Sequence, residues 1–124
     1  MEKIIRDAAK KFTAGLEEHE SYMMDMIVAK PILEDKENEL LVIDIRPEKS
    51  YKSGHIPGSV NFPLANLPDR VDELDPNQAI LVVCTLDAMS AYATMILRLL
   101  GFTATLVKGG VPAFADAGGE LESS

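Results

Sequence analysis

Two short, almost uninterrupted apolar runs constrain the fold of this chain more than any other feature of its sequence. Residues 40–45 read LLVIDI and residues 79–83 read AILVV, and both runs are rich in branched side chains. A continuous apolar run is typical of a strand that is buried on both faces of a parallel sheet. Another strand is predicted at 103–107, after a helix whose apolar spacing ends near residue 100. Strands that alternate with helices predict an α/β fold with a mainly parallel sheet.

The first 24 residues are predicted to form a helical extension that precedes the sheet domain. Four apolar residues recur at every fourth position and therefore share one face of a helix over residues 1–20: Ile4, Ala8, Phe12 and Leu16. This face could pack on the chain's own domain, or it could contact a partner or a second copy in a homodimer.

The boundaries around this extension rest on weaker patterns. The apolar, Met-rich stretch 22–29 could end the first helix or form a short strand near residues 26–28. Pro31 suits the first turn of a short helix, because a proline there removes an amide that has no helical partner. The sheet domain is predicted to span residues 25–118, and the tail at 119–124 is predicted to fray.

The charge balance excludes two classes of binding protein. The chain of 124 residues has 12 Lys and Arg against 20 Asp and Glu, which gives a net charge of -8. Such a chain lacks the basic surface with which proteins bind nucleic acids or anionic membranes. The charged N-terminus lacks an apolar signal core, and no apolar run reaches the roughly 20 residues that span a bilayer. These features predict a soluble, cytoplasmic protein of one domain.

Cys84 is the one cysteine of the chain and the strongest candidate for a functional residue. A single cysteine excludes an internal disulfide and a zinc site of several thiolates, and with two histidines no metal or cofactor is predicted. Cys84 ends the second predicted strand, and the next helix is predicted to start near Ser90. Helix starts at the carboxyl ends of strands present unpaired amides that favour a thiolate. An exposed nucleophile is therefore predicted, and the alternative is an inert core thiol.

Three segments together resemble a known family. They are DIRPEKSYKSGHIPGSVNFP at 44–63, ILVVCTLDAMS at 80–90 and LRLLGFTATLVKGGVPAF at 97–114. In this order and spacing they are similar to the single-domain rhodaneses, or sulfurtransferase homology domains, over about residues 40–115. The resemblance implies a rhodanese-like sheet of about five strands flanked by helices. It also implies that Cys84 takes up sulfur as a persulfide and passes the sulfane sulfur to a thiol or protein acceptor.

The resemblance also assigns the groups that hold the substrate. In the family, backbone amides of the loop after the cysteine surround the persulfide, and here that loop comprises Thr85, Leu86, Asp87, Ala88, Met89 and Ser90. Active members usually carry Cys-x-x-Gly-x-Arg-Ser/Thr, whereas Asp87 and Met89 replace the glycine and the arginine here. A loop with one carboxylate and no cation opposes a dianionic donor, so thiosulfate is predicted to be a poor substrate.

Other residues of these segments are assigned weaker roles. Asp44 and Arg46 match the D-x-R of the family and are predicted to tie loops together, with substrate contact by Arg46 as the alternative. His55 is predicted to be a structural hydrogen-bonding residue rather than a general base. The altered loop leaves a second function open, a non-catalytic binding or redox-sensing module. A cysteine phosphatase is excluded, because its arginine is replaced by Ser90 at the sixth position after the cysteine.

Overall fold

The computed structural model describes residues 2–124 and contains a five-stranded sheet in which all neighbouring strands are parallel. Its strands are β1 (Met23–Met24), β2 (Leu41–Asp44), β3 (Val60–Asn61), β4 (Ile80–Val83) and β5 (Ala104–Val107). They lie in the order β1-β5-β4-β2-β3, which makes β4 the central strand. The two apolar runs of the sequence pair with each other, so the predicted α/β class and parallel sheet are confirmed.

Helices cover both faces of this sheet. They are α1 (Lys3–Glu18), α2 (Met26–Glu34), α3 (Glu48–Ser53), α4 (Leu67–Arg70), α5 (Asp87–Leu99) and α6 (Gly110–Asp116), with 3₁₀ turns at Glu20–Tyr22, Leu64–Asn66 and Val71–Glu73. Side chains alternate along β2, so Ile43 joins one core with Leu97 of α5, and Val42 joins the other with Phe114 of α6. Because each central strand contributes to two cores, its sequence is continuously apolar.

The extension α1 is helical as predicted, but its two halves differ in packing. The Tyr22 ring stacks on Phe12 with centroids 4.9 Å apart, and the Tyr22 hydroxyl donates to the Phe12 carbonyl at 2.7 Å. Gly15 is buried against the same tyrosine, and a Cβ added at Gly15 would overlap its hydroxyl. The first turns instead project from the domain, with Ile4 80% and Ile5 57% exposed.

The segment after α1 differs from the prediction. The strand β1 lies at Met23–Met24 and pairs with β5, so the sheet begins before residue 25. Both alternatives for residues 26–28 are wrong, because α1 already ends at Glu18 and a separate helix, α2, begins at Met26. Pro31 lies in the interior of α2 and not in a first turn as predicted. The Asp25 carbonyl accepts hydrogen bonds from the amides of Val28 and Ala29, which starts this helix. A short apolar run looks alike in a strand and in a buried helix, so periodicity did not separate them.

The tail at 119–124 is paired, contrary to the expectation that it frays. Glu122 exchanges two backbone hydrogen bonds of 2.8 Å with His55, and the Ser124 amide donates to the Lys52 carbonyl at 2.9 Å. The Gly119 amide also donates to the Phe114 carbonyl at 2.9 Å. These contacts are made by backbone groups of distant residues, and no side-chain pattern in the sequence signals them.

Candidate functional site

Cys84 directly follows the central strand β4, at the carboxyl end of the sheet. Its carbonyl accepts a hydrogen bond of 2.9 Å from the Val111 amide, which ties Cys84 to the first turn of α6. This position agrees with the prediction, but the exposure does not. The residue is 7% exposed and belongs to the core that α5 covers, so the expectation of an exposed thiol is wrong.

The loop after Cys84 is shorter than predicted. The helix α5 begins at Asp87 rather than near Ser90, and the Leu86 carbonyl accepts hydrogen bonds from the amides of Met89 (3.0 Å) and Ser90 (3.4 Å). Two of the six predicted amides are therefore engaged within the helix. The other four, which we call the loop amides, find no acceptor among residues 2–124: Thr85, Leu86, Asp87 and Ala88. Amides at a helix start are suited to hold an anion.

Asp87, which stands where the family usually has glycine, is directed to a second loop. Its Oδ1 accepts a hydrogen bond of 2.9 Å from the amide of Gly109, between β5 and α6. The residue is exposed and lies in the first turn of α5, where the helix dipole favours a negative charge. The carboxylate thus bridges the loop that follows Cys84 (the cysteine loop, residues 85–86) and the segment from the end of β5 to the start of α6 that contains Gly109 and Gly110 (the glycine loop, residues 108–110).

Gly110 allows the glycine loop to approach Cys84 closely. Its φ of 53° lies in the left-handed region, and a Cβ at this position would overlap the Cys84 carbonyl oxygen. The hydrogen bond from the Val111 amide to the same carbonyl depends on this approach. Backbone of the glycine loop therefore packs directly on backbone of the cysteine.

Arg46 is engaged by protein groups on the neighbouring strand end. Its Nη2 donates to Oδ2 of Asp44 and to the Gly54 carbonyl, both at 2.7 Å, and its Nε also donates to Asp44. Asp44 is completely buried, and such a charge needs a partner to offset its lost hydration. The geometry agrees with the predicted role of tying loops together. Asp44 thus offsets the charge of Arg46 at this strand end.

His55 is likewise held by contacts with its neighbours. Its ring stacks on Tyr51 with centroids 3.9 Å apart, and its Nδ1 lies 2.8 Å from the Tyr51 carbonyl. Its Nε2 lies 3.9 Å from a carboxylate oxygen of Glu122, beside the backbone pairing of the tail. These contacts are those of the structural residue that the sequence predicts.

Sequence reasoning missed the apolar surface that surrounds the loop. Leu86, Met89 and Tyr92 are exposed on the loop and on the outer side of α5. In the sequence from 85 to 97, Asp87 is the one charged residue, and this scarcity of charge is the signal that could have revealed the surface. A molecule that approaches Cys84 from this side meets apolar side chains and a single carboxylate.

The groups described around Cys84 are a thiol, backbone amides and a carboxylate. Within residues 2–124, no three His, Cys, Asp or Glu side chains are grouped so that they could hold a metal ion. In the same range, no helix combines the length and the apolar character that crossing a bilayer requires.

Fold and site together define a class of protein, a parallel α/β domain with one thiol between its central strand and a helix start. The protein-family model described as the Rhodanese-like domain matches residues 28–117, which is most of the chain. The chain therefore belongs to the rhodanese-like domain family, as its three sequence segments predict.

Similar proteins include solved structures and curated sequences. The crystal structure of a protein from Anabaena sp. has a TM-score of 0.75 and 32% identity, over 82% of each chain. An adenylyltransferase and sulfurtransferase of Arabidopsis thaliana is 36% identical over 103 residues, which is 69% of this chain and 22% of that protein. An HTH-type transcriptional regulator of Mycobacterium tuberculosis is 39% identical over 61 residues, 48% of this chain and 27% of the regulator. The chain thus spans about a quarter of the length of these two relatives.

Proposed function

We propose that this protein is a cytoplasmic sulfurtransferase or sulfur carrier that holds sulfane sulfur on Cys84 as a persulfide. The observation that carries the proposal is the place of Cys84 at the carboxyl end of β4, next to the four loop amides. Relatives named sulfurtransferase, in Arabidopsis thaliana and in Thermoplasma acidophilum, support a sulfur-transfer role in general.

The proposed reaction moves one sulfur atom in two displacements without net oxidation. The Cys84 thiolate attacks the sulfane sulfur of a persulfide donor, a new S–S bond forms, and the donor's S–S bond breaks. The donor leaves as a thiolate with the bonding electron pair. In the second step the thiolate of an acceptor attacks the outer sulfur of the Cys84 persulfide, and Cys84 leaves as a thiolate. The acceptor carries the sulfur away as its own persulfide.

The loop amides supply the electrostatic part of this proposal. The outer sulfur of a persulfide is anionic, and preorganised N–H groups stabilise such a charge without reorganising during the reaction. The start of α5 adds the positive end of its helix dipole to the same region. Burial of Cys84 limits contact of the persulfide with water and with unselected thiols.

The charges around the loop select among sulfur donors. Asp87 brings a carboxylate to the first turn of α5, and the Arg46 guanidinium is already paired with Asp44. Thiosulfate carries two negative charges, and the carboxylate of Asp87 disfavours its approach. A low-molecular-weight or protein persulfide is therefore the preferred donor in this proposal.

Intact-protein mass spectrometry after incubation with a low-molecular-weight persulfide tests the proposal. We expect the protein to gain one sulfur atom, to lose it on addition of a thiol acceptor, and to gain none as the Cys84→Ser variant. The released persulfide is measured at the same time, which checks that sulfur is transferred rather than lost.

A wild-type protein that remains free of sulfur while its thiol reacts with an alkylating reagent would contradict the proposal. That outcome would favour a non-catalytic binding module. Formation of an intermolecular disulfide by oxidant, without any persulfide, would instead favour a redox-sensing module.

A further inference from the structure

A groove of about 660 Å³ lies on the face of the sheet opposite to α5. Its floor is apolar and includes Leu33 of α2, Leu40 and Val42 at the start of β2, and Phe114 of α6. Cys84 follows the other, carboxyl end of the strands, so the groove is separate from the site proposed above. Its volume suits the side chains of a docked segment.

The rim of this groove is strongly acidic. Four acidic residues and one basic residue line it: Glu34, Asp35, Glu120, Glu122 and Lys36. Glu34 is partly neutralised by Lys30 at 2.8 Å, and Glu122 lies 3.9 Å from His55. A ligand with an apolar face and a basic margin complements a surface of this kind.

The first turns of α1 have the complementary chemistry. Ile4, Ile5 and Ala8 share one side of the helix, and the two isoleucines are exposed. Between residues 3 and 11 the helix has four basic residues and one acidic residue: Lys3, Arg6, Lys10, Lys11 and Asp7. Ala9 extends this apolar face beyond Ile5. At about 100° per residue, Lys11 therefore borders the face next to Ile4, and Arg6 follows on the other side beyond Ala9.

The helix is held away from the groove of its own chain. Its last turns are fixed by Tyr22, and it contacts α5, which covers the opposite face of the sheet. We propose that the first turns of α1 insert into the groove of a second copy of this chain. Two copies that exchange their helices fill both grooves and form a closed, two-fold symmetric dimer.

A charge exchange between two variants tests this proposal on the full chain. One variant carries Arg6→Glu with Lys11→Glu in the helix, and the other carries Glu34→Lys with Glu120→Lys at the rim. Each variant alone places like charges together in both interfaces, so we expect its dimer dissociation constant to rise roughly tenfold or more. In an equimolar mixture every helix meets a groove of opposite charge, and we expect the dimer to return.

Light scattering or sedimentation equilibrium measures the molar mass as a function of concentration, and thereby the fractions of monomer and dimer in each variant and in the mixture. The matched control for the helix variant is Lys49→Glu with Lys52→Glu on α3, which makes the same change of net charge at residues outside α1 and outside the groove lining, and is expected to leave the dimer intact. Circular dichroism checks that each variant keeps its helices.

Two outcomes would overturn the proposal. A wild-type protein that stays monomeric at hundreds of micromolar has no such interface. A dimer that persists in both variants, or that the mixture fails to restore, uses another surface and leaves the groove to a different ligand. Persulfide formation at Cys84 is measured separately, so a failure of this proposal does not affect the proposed function.

Discussion

The helices α5 and α1 have similar amphipathic sequences but very different surroundings. α5 buries Ser90, Ala93, Thr94 and Leu97, whereas Gly15 is the residue of α1 that is buried. The comparison shows that an apolar stripe identifies a helix without identifying what covers the stripe.

The position of each helix in the chain explains the difference. α5 connects β4 to β5, which are neighbours in the sheet, so a crossover between parallel strands lays its apolar face on the sheet. α1 precedes the first strand and is joined to the domain through Tyr22 at its C-terminal end. Nothing in the connection forces its first turns onto the core, and Ile4 remains exposed.

The sharpest test of this comparison removes one large apolar side chain from each helix. Leu97→Ala in α5 opens a cavity at a fully buried position and is expected to lower the free energy of unfolding by about 2–5 kcal/mol. Ile4→Ala in α1 is expected to change it by less than about 0.5 kcal/mol. Urea denaturation at low protein concentration measures both, and equal losses would contradict the comparison.

A substitution at Gly15 tests whether the second half of α1 is truly packed. Glycine to alanine in an exposed helix stabilises it by about 1 kcal/mol. At Gly15 the new methyl group would overlap the Tyr22 hydroxyl, so we expect Gly15→Ala to lower the free energy of unfolding by about 1–3 kcal/mol instead.

The matched control is Ala9→Gly in the exposed half of α1, which is expected to lower the free energy of unfolding by about 1 kcal/mol from helix propensity alone. Denaturation followed by tyrosine fluorescence measures both variants. A stabilised Gly15→Ala protein would mean that Tyr22 moves away at little cost, and that α1 is less firmly attached than its stacking indicates.

A substitution at the start of α5 is expected to change stability little and the choice of sulfur donor more. Asp87→Asn keeps a side-chain oxygen for the Gly109 amide and removes the charge. We therefore expect the free energy of unfolding to change by about 1 kcal/mol or less. At the same time thiosulfate turnover is expected to rise about fivefold, since a screened charge near the site is worth about 1 kcal/mol.

Parallel assays with thiosulfate and with a persulfide donor measure this change, and Asp116→Asn, at the exposed end of α6, serves as the matched control. An equal rise with both donors would indicate a general effect on Cys84. An unchanged thiosulfate rate would show that the Asp87 charge does not select the donor.

The sequence predicted the central strands well because burial on both faces leaves a continuous apolar run. The strands β1 and β3 have two residues each and are too short to show any period. The start of α5 was placed three residues late, because residues 87–89 of its first turn are exposed and show no apolar period that would mark them as helical. The burial of Cys84 was not predicted, because the packing of residues 109–110 onto its backbone is a long-range contact.

The sequence by itself determined the parallel sheet, the single thiol at a strand end and the charges near it, because these follow from residue type and local order. Tertiary structure decided which partner each of these groups has. Asp87 turns to Gly109, Arg46 is neutralised by Asp44, and the first turns of α1 find no cover on their own domain. Hydrogen bonds and ion pairs depend on distances of a few ångströms between two groups, whether the residues are distant in the chain, as Asp87 and Gly109 are, or close, as Asp44 and Arg46 are. Residue order alone does not specify those distances.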